Sequence, residues 1–88
     1  NNIQLIDIRT PQEISQGKIC HTALEIDFLH SDFSKNISRL NREKEYLLYC
    51  RSGQRSEKAL EIMKGLGFSR ISHLEGGILS QEKHNLSH

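Results

Sequence analysis

The sequence predicts a single three-layer α/β domain, with a mainly parallel central sheet of about four strands and helices on both faces. Short apolar runs alternate along the chain with segments of helical periodicity, which is typical of a parallel sheet with crossover helices. The 88 residues suffice for one modest hydrophobic core. We expect the domain to span residues 1–82, with a polar tail over residues 83–88.

The first strand and helix are predicted from the residues at the start of the chain. Residues 3–8 are β-branched and apolar enough for a buried strand. Thr10 and Glu13 form a capping-box pattern, and Pro11 occupies the first helical position. A short helix should therefore follow the first strand and end at Gly17.

The next segment predicts a short strand and an amphipathic helix. Residues 23–26 form a brief apolar run. Residues 31–42 are mainly polar, with apolar positions at Phe33, Ile37 and Leu40. These positions are four and three residues apart, the spacing of one face of a helix.

The second half predicts a central strand, a long helix and a final strand. Residues 46–49 are continuously apolar, as expected for a parallel strand covered on both faces. A helical apolar face follows at Ala59, Leu60, Ile62, Met63 and Leu66. The last strand should occupy residues 70–74. A tight turn over residues 75–77 then leads to a short helix from Ile78.

Charge and cysteine content exclude several classes of protein. Twelve basic and eleven acidic residues leave a formal net charge of +1, which gives no reason to expect nucleic acid or a membrane as a partner. Two cysteines are too few for a disulfide-stapled secreted domain. We therefore expect a reduced, cytoplasmic protein. The chain begins at Asn1 without a methionine, so this expectation does not cover an upstream targeting segment.

Cys50 stands at the carboxyl end of the predicted central strand, where ligands of α/β sheets gather. It enters a turn that contains Gly53 and leads into a helix. Backbone N–H groups of such a turn can converge on an anion, and the positive end of the helix points to the same place. Arg51 and Arg55 add positive charge. These features favour a nucleophilic Cys50 thiolate over the alternative of an inert, packed cysteine.

Six segments occur in the order found in one enzyme family. They are residues 5–13, 17–19, 26–28, 50–56, 66–68 and 74–78. With these segments the chain resembles the single-domain rhodaneses, the family of thiosulfate sulfurtransferases and persulfide carriers. Family members usually have an additional strand and helix before the segment equivalent to Ile3. The resemblance therefore implies a rhodanese-like fold that lacks the usual first strand.

The resemblance implies a two-step sulfur transfer without a metal or organic cofactor. Cys50 would take the outer sulfur of thiosulfate or of a persulfide donor, become a persulfide, and pass the sulfur to cyanide or a thiol acceptor. The acceptor could be a small thiol or a protein. The implied substrate-binding residues are Arg51, Ser52, Gly53, Gln54, Arg55 and Ser56.

Two other functions remain open at this point. The chain could be a carrier or interaction module that holds a persulfide for a partner protein. The fold also resembles tyrosine-specific and dual-specificity phosphatases, whose loop has five residues between cysteine and arginine and usually a histidine before the cysteine. Here four residues separate Cys50 from Arg55, and Tyr49 precedes the cysteine. The shorter loop favours sulfur over a phosphoryl group.

Other residues have structural interpretations beside the functional ones. Asp7 and Arg9 leave the end of a central strand and could support the loop, but a structural ion pair is the favoured interpretation. Glu75 and Gly76 are expected to shape the turn beside the site. Cys20 could be a resolving thiol, although a replaced loop residue is the simpler account. The histidines are scattered, so we expect no metal site.

Overall fold

The computed structural model describes residues 2–86, and it alternates strands with helices along the chain. The strands are β1 (Ile3–Asp7), β2 (Leu24–Glu25), β3 (Glu45–Tyr49) and β4 (Ile71–His73). The helices are α1 (Pro11–Ser15), α2 (Phe33–Ser38), α3 (Gln54–Gly65) and α4 (Gly77–Leu86). The strands form one sheet in the order β2-β1-β3-β4. All three pairings are parallel, which confirms the predicted α/β class.

The register of the sheet brings the carboxyl ends of three strands to one edge. Asp7 of β1 pairs with Tyr49 of β3, and Leu48 of β3 pairs with His73 of β4. The N–H of Leu74 donates to the Leu48 carbonyl at 2.8 Å. The residue that follows β3, Cys50, therefore lies between the ends of β1 and β4.

One face of the sheet packs against α2 and α3 and forms the main core. The buried side chains of this core are Ile6, Ile8, Phe33, Ile37, Tyr46, Leu48, Cys50, Ala59, Met63 and Phe68. Phe33 and Ile37 are buried and Leu40 packs against the core, so the predicted apolar face of α2 is confirmed. The helix itself is shorter than the predicted 31–42 segment.

The opposite face of the sheet is covered more thinly. Leu5, Leu47 and Leu74 are half-buried there, and Ile78 of α4 lies beside them. These residues border an apolar groove of about 160 Å³. The prediction was that both faces of β3 are covered. The face that packs on α2 and α3 is fully covered, and the other face is only partly covered.

The predicted capping box at the start of α1 is confirmed. The N–H of Glu13 donates to Thr10 Oγ1 at 3.2 Å, and the N–H of Thr10 donates to Glu13 Oε1 at 2.9 Å. The helix ends at Ser15, so Gly17 follows it as predicted.

Helix α4 is longer than the sequence predicted. It begins at Gly77 and continues to Leu86, into the predicted polar tail. No glycine or proline follows Gly77 within the helix, and residues such as Gln81 and Lys83 have good helix propensity, so nothing local ends it earlier. Residues 87 and 88 of the predicted tail lie outside the described residues. No helix of the described part is long and apolar enough to cross a membrane.

The core position of Leu48 yields a stability prediction. Its side chain is 0% exposed, so Leu48→Ala should lower the free energy of unfolding by about 2–5 kcal/mol through lost burial and a residual cavity. The matched control is Leu29→Ala, because Leu29 is 65% exposed and should change stability by less than about 0.5 kcal/mol. Urea unfolding monitored by circular dichroism measures both. Equal losses would contradict the described core.

Candidate active site

The Cys50 loop joins β3 to α3 and encloses the sulfur atom. Cys50 is 0% exposed. The N–H of Gly53 donates to Cys50 Sγ at 3.1 Å. Gly53 adopts a φ of 92° as the residue that precedes α3, and a Cβ atom there would lie 2.8 Å from the Gly76 nitrogen. Glycine is therefore required both by the backbone conformation and by the close approach of the next segment.

Opposing effects act on the ionisation of Cys50. Burial raises the pKa of the Cys50 thiol, because the thiolate is poorly solvated there. Hydrogen bonding from the Ser56 N–H and hydroxyl, and then from the N–H groups of Gly53 and Arg55, lowers this pKa. The lowering effects prevail, so the pKa of Cys50 lies below its ordinary value. The loop therefore favours the thiolate form of Cys50, and its role as the nucleophile remains a prediction.

The first turn of α4 closes over the outside of the loop. The N–H of Ile78 donates to the Cys50 carbonyl at 3.1 Å, and the N–H of Leu79 donates to the Arg51 carbonyl at 3.0 Å. Amides in the first turn of a helix have no partner inside the helix, so the loop carbonyls satisfy them. Gly77 has a φ of 65°, and a Cβ atom there would overlap the Arg51 carbonyl.

Arg55 forms a two-point ion pair with Glu13 of α1. Its Nη1 donates to Glu13 Oε1 at 2.7 Å, and its Nη2 donates to Glu13 Oε2 at 2.8 Å. Hydrogen bonding from Arg55 lowers the pKa of Glu13 to about 2. The resemblance implied that Arg55 binds the substrate; this role remains a prediction, and in the structure the Arg55 guanidinium is held by Glu13. The sequence analysis recognised Glu13 as a capping residue and missed its place beside the loop.

A cleft of about 330 Å³ borders the loop through Arg51. Arg9, Glu13 and Arg51 provide its charged groups, and Ile78 and Leu79 of α4 contribute to its apolar part. The Arg51 side chain is exposed, and it has no ionic partner among the side chains that the structure describes. The cleft therefore offers positive charge next to the loop through Arg51, and Cys50 itself is buried and does not line the cleft.

Nearly the whole chain matches a known domain family. The profile of the rhodanese-like domain aligns with residues 1–83. The chain belongs to the rhodanese-like domain family.

Relatives of this rhodanese-like domain include sulfurtransferases and longer enzymes. A sulfurtransferase of Allochromatium vinosum is 36% identical over 85 residues, which cover 97% of this chain and 77% of that protein. A rhodanese-related protein of Thermoplasma volcanium superposes with a TM-score of 0.79 at 32% identity, covering 93% of this chain and 78% of that one. A tRNA uridine(34) hydroxylase of Ehrlichia canis is 34% identical over 94% of this chain, but this chain covers only 32% of that protein. These likenesses support a rhodanese-type enzyme that transfers sulfur.

Asp7 and Arg9 form a buried ion pair in the rhodanese-like domain. Arg9 Nη2 donates to Asp7 Oδ2 at 2.8 Å and to the Gly17 carbonyl at 3.0 Å. The hydrogen bond with Asp7 is the main cause that raises the pKa of Arg9. The ion pair that the sequence analysis favoured is therefore present and fixes the segment that leads into α1, and a supporting role at the loop remains a prediction.

The remaining predicted residues lie at different depths around the loop. Ser52 and Gln54 are exposed, whereas Ser56 is buried with its Oγ 3.7 Å from Cys50 Sγ. Glu75 and Gly76 are exposed in the turn before α4, and Gly76 has a φ of 77°. Their proposed supporting roles remain predictions.

His73 was not selected from the sequence, yet it contacts the site. Its Nδ1 lies 2.9 Å from Ser56 Oγ. The available signal was its position at the end of the strand beside β3, since neighbouring parallel strands end at one edge of the sheet.

Cys20 lies outside the Cys50 loop. Its Sγ is 3.2 Å from Thr22 Oγ1, and it borders the apolar groove on the thinly covered sheet face. Both cysteines are free thiols. Among the side chains of residues 2–81, His, Cys, Asp and Glu form no group of three that could hold a metal ion.

The Glu13–Arg55 pair predicts a pH-dependent stability difference. Because the pKa of Glu13 falls from 4.5 to about 2 on folding, its stabilising effect is complete above pH 4.5 and is lost as the pH falls towards 2. Glu13→Gln keeps the capping-box pattern but removes the charge. It should cost about 1 kcal/mol near neutrality, measured by urea unfolding, and the difference from wild type should vanish towards pH 2.

Glu61→Gln is the control for this measurement. Glu61 is 69% exposed and lies 3.4 Å from Lys64, so its replacement should have little effect at any pH. A Glu13→Gln difference that stays constant down to pH 2 would show that the carboxylate charge is not its source.

The contact of Gly77 with the loop predicts a second effect on stability. Gly77→Ala combines a left-handed backbone conformation with steric overlap, so it should lower the free energy of unfolding by about 1–3 kcal/mol. Gly65→Ala is the matched control, since nothing lies within 4 Å of a Cβ atom at that helical position. It should be neutral or stabilise by up to about 1 kcal/mol. Equal stability of the two variants in urea would exclude the described packing.

Proposed function

We propose that the chain is a sulfurtransferase in which Cys50 carries a sulfane sulfur as a persulfide. The observation that carries the proposal is the buried Cys50 sulfur with the Gly53 N–H 3.1 Å away. A sulfur atom at the focus of loop amides is stabilised as an anion, both before and after it accepts a second sulfur. The sulfurtransferase names among the relatives agree with this chemistry.

In the first half-reaction, the Cys50 thiolate attacks the outer sulfur of thiosulfate or of a persulfide donor. With thiosulfate, a new S–S bond forms to Cys50, the bond between the two donor sulfurs breaks, and sulfite leaves with the bonding electron pair. The product is an anionic Cys50 persulfide. Total charge is conserved, since thiolate and thiosulfate give persulfide and sulfite.

In the second half-reaction, an acceptor takes the outer sulfur of the persulfide. Cyanide or an acceptor thiolate attacks that sulfur, the S–S bond breaks, and its electrons return to Cys50 as thiolate. Cyanide yields thiocyanate, and a thiol of a small molecule or protein yields a new persulfide. The cycle needs no metal and no organic cofactor, because Cys50 supplies the nucleophile and the leaving group.

Separate roles follow for the two loop arginines. Arg51 is exposed at the cleft, where its guanidinium can bind an anionic donor such as thiosulfate. Arg55 is held by Glu13, so its main role is to anchor the start of α3 while its charge acts on Cys50. The backbone amides of Gly53, Arg55 and Ser56 act on the Cys50 sulfur, and a substrate-binding role of Ser52 and Gln54 is part of the proposal.

Complete burial of Cys50 favours a second candidate, a persulfide carrier that exchanges sulfur with a dedicated partner protein. A buried persulfide is shielded from small molecules in solution until a partner moves the loop. The two candidates differ in one measurable property. The enzyme turns over free thiosulfate and cyanide, whereas the carrier is loaded only by its partner.

Neither a tRNA hydroxylase activity nor a phosphatase activity is part of this proposal. The hydroxylase activity in the name of the Ehrlichia canis protein belongs to a protein of which this chain covers 32%. A phosphatase is disfavoured by the length of the loop, because four residues separate Cys50 from Arg55 and the phosphatases have five.

The test of the proposed function uses thiosulfate and cyanide and measures thiocyanate. Wild type should turn over. Cys50→Ser should lose at least about a thousandfold in rate, because the attacking group and its covalent intermediate are both removed. Cys20→Ser is the matched control and should retain wild-type turnover, since Cys20 lies outside the loop.

Intact mass after thiosulfate treatment separates the remaining outcomes. One added sulfur atom on wild type and Cys20→Ser, and none on Cys50→Ser, supports the Cys50 persulfide. Absence of both thiocyanate and the added sulfur in wild type moves the assignment to the carrier. Hydrolysis of an aryl phosphate by wild type but not by Cys50→Ser would overturn sulfur transfer in favour of a phosphatase.

A further inference from the structure

His73 connects the end of β4 to the Cys50 sulfur through one serine. Its Nδ1 lies 2.9 Å from Ser56 Oγ, and that oxygen lies 3.7 Å from Cys50 Sγ. Ser56 is fully buried and His73 half-buried, so the serine hydroxyl is shielded from water. Three polar groups from β4, α3 and the loop therefore form a continuous chain.

The single proton of the Ser56 hydroxyl limits the hydrogen bonds that this chain can make. The hydroxyl can donate to the Gly53 carbonyl at 3.2 Å, to His73 Nδ1 or to the Cys50 sulfur. The Gly53 carbonyl also accepts the Glu57 N–H at 3.0 Å, which leaves its second lone pair for the Ser56 hydroxyl. The hydroxyl proton therefore has three acceptors, and the two whose protonation can change are the imidazole and the sulfur.

The proton on His73 Nδ1 decides that choice. If Nδ1 lacks a proton, the Ser56 hydroxyl donates to it and turns a lone pair towards Cys50, which suits a neutral thiol. If Nδ1 carries a proton, it donates to Ser56 Oγ, and the hydroxyl can donate to a Cys50 thiolate, whose negative charge makes it a stronger acceptor than the Gly53 carbonyl. The two states are related by a proton shift from Cys50 to Ser56 and from Ser56 to Nδ1.

We propose that His73 is a positioning residue that donates its Nδ1–H to Ser56 and thereby turns the Ser56 hydroxyl towards the Cys50 thiolate. This inference rests on the proposed function. In that function the Cys50 thiolate attacks the sulfur donor, and it forms again when the acceptor removes the sulfur. The arrangement adds a side-chain donor to the amides of the loop.

The charged side chains on the elements that pack near His73 are exposed to solvent or paired with other residues. The acidic and basic side chains of α3 other than Arg55 are exposed, namely Glu57, Lys58, Glu61 and Lys64. Arg55 is paired with Glu13. On β3, Glu45 stands at the opposite end of the strand and contacts Arg70 at 3.6 Å. Ser56 is therefore the polar side chain through which His73 acts on the site.

A double-mutant cycle tests the coupling through Ser56. The variants are His73→Leu, Ser56→Ala and the double variant, all made in Cys20→Ser so that iodoacetamide reports Cys50 alone. His73→Leu should raise the thiol pKa and lower the alkylation rate at neutral pH by about threefold to tenfold, the effect of one hydrogen bond. In the Ser56→Ala background the same substitution should change neither quantity.

His73→Asn and His73→Gln form a matched pair for rescue. The asparagine amide can place an N–H near the position of Nδ1 and should restore the wild-type pH profile. The longer glutamine places its amide nearer the position of Nε2 and should behave like His73→Leu. Urea unfolding of each variant identifies any loss that comes from misfolding.

Two results would overturn the proposal. One is an equal effect of His73→Leu with and without the Ser56 hydroxyl. The other is independent of variant stability: nitrogen NMR of wild type that shows an unprotonated Nδ1 while Cys50 is thiolate. Neither measurement uses a sulfur donor, so failed turnover with intact coupling would refute the proposed function alone.

Discussion

The packing of two backbone segments against each other determines the geometry of the site. The carbonyls of Cys50 and Arg51 accept the first amides of α4, so these carbonyls face away from the sulfur. The opposite side of the loop then presents N–H groups to Cys50 Sγ, as seen for Gly53. This contact is possible only because Gly53 and Gly77 have no side chain at the point of closest approach. The anion cradle and the start of the last helix are therefore one structural unit.

The charged groups around the loop are two ion pairs and one exposed arginine. Asp7 with Arg9 and Glu13 with Arg55 are pairs in which each arginine is held in place by a carboxylate. Glu13 also caps α1, so one carboxylate links the first helix to the start of α3. Arg51 is exposed at the cleft. Because a paired arginine contributes less field to an incoming anion, the proposed function assigns the binding of an anionic donor mainly to Arg51 and the loop amides.

Local patterns predicted most of the fold because they depend on neighbouring residues. The Thr10–Glu13 capping box, the apolar face of α3 and the apolar run of β3 each need only a few positions, and each was found where predicted. The length of α4 was underestimated because a polar segment was interpreted as a frayed tail. Polarity does not end a helix that has begun and meets no glycine or proline.

The sequence by itself determined the family, the strand that carries Cys50 and the glycines that allow the loop to close. These features follow from residue order, local propensity and the conformational freedom of glycine. The tertiary structure alone decided which side chains meet. Arg55 and Glu13 are 42 residues apart, and His73 and Ser56 are 17 apart. Such pairs depend on how the helices pack on the sheet, and no local sequence pattern specifies which distant side chains will come into contact.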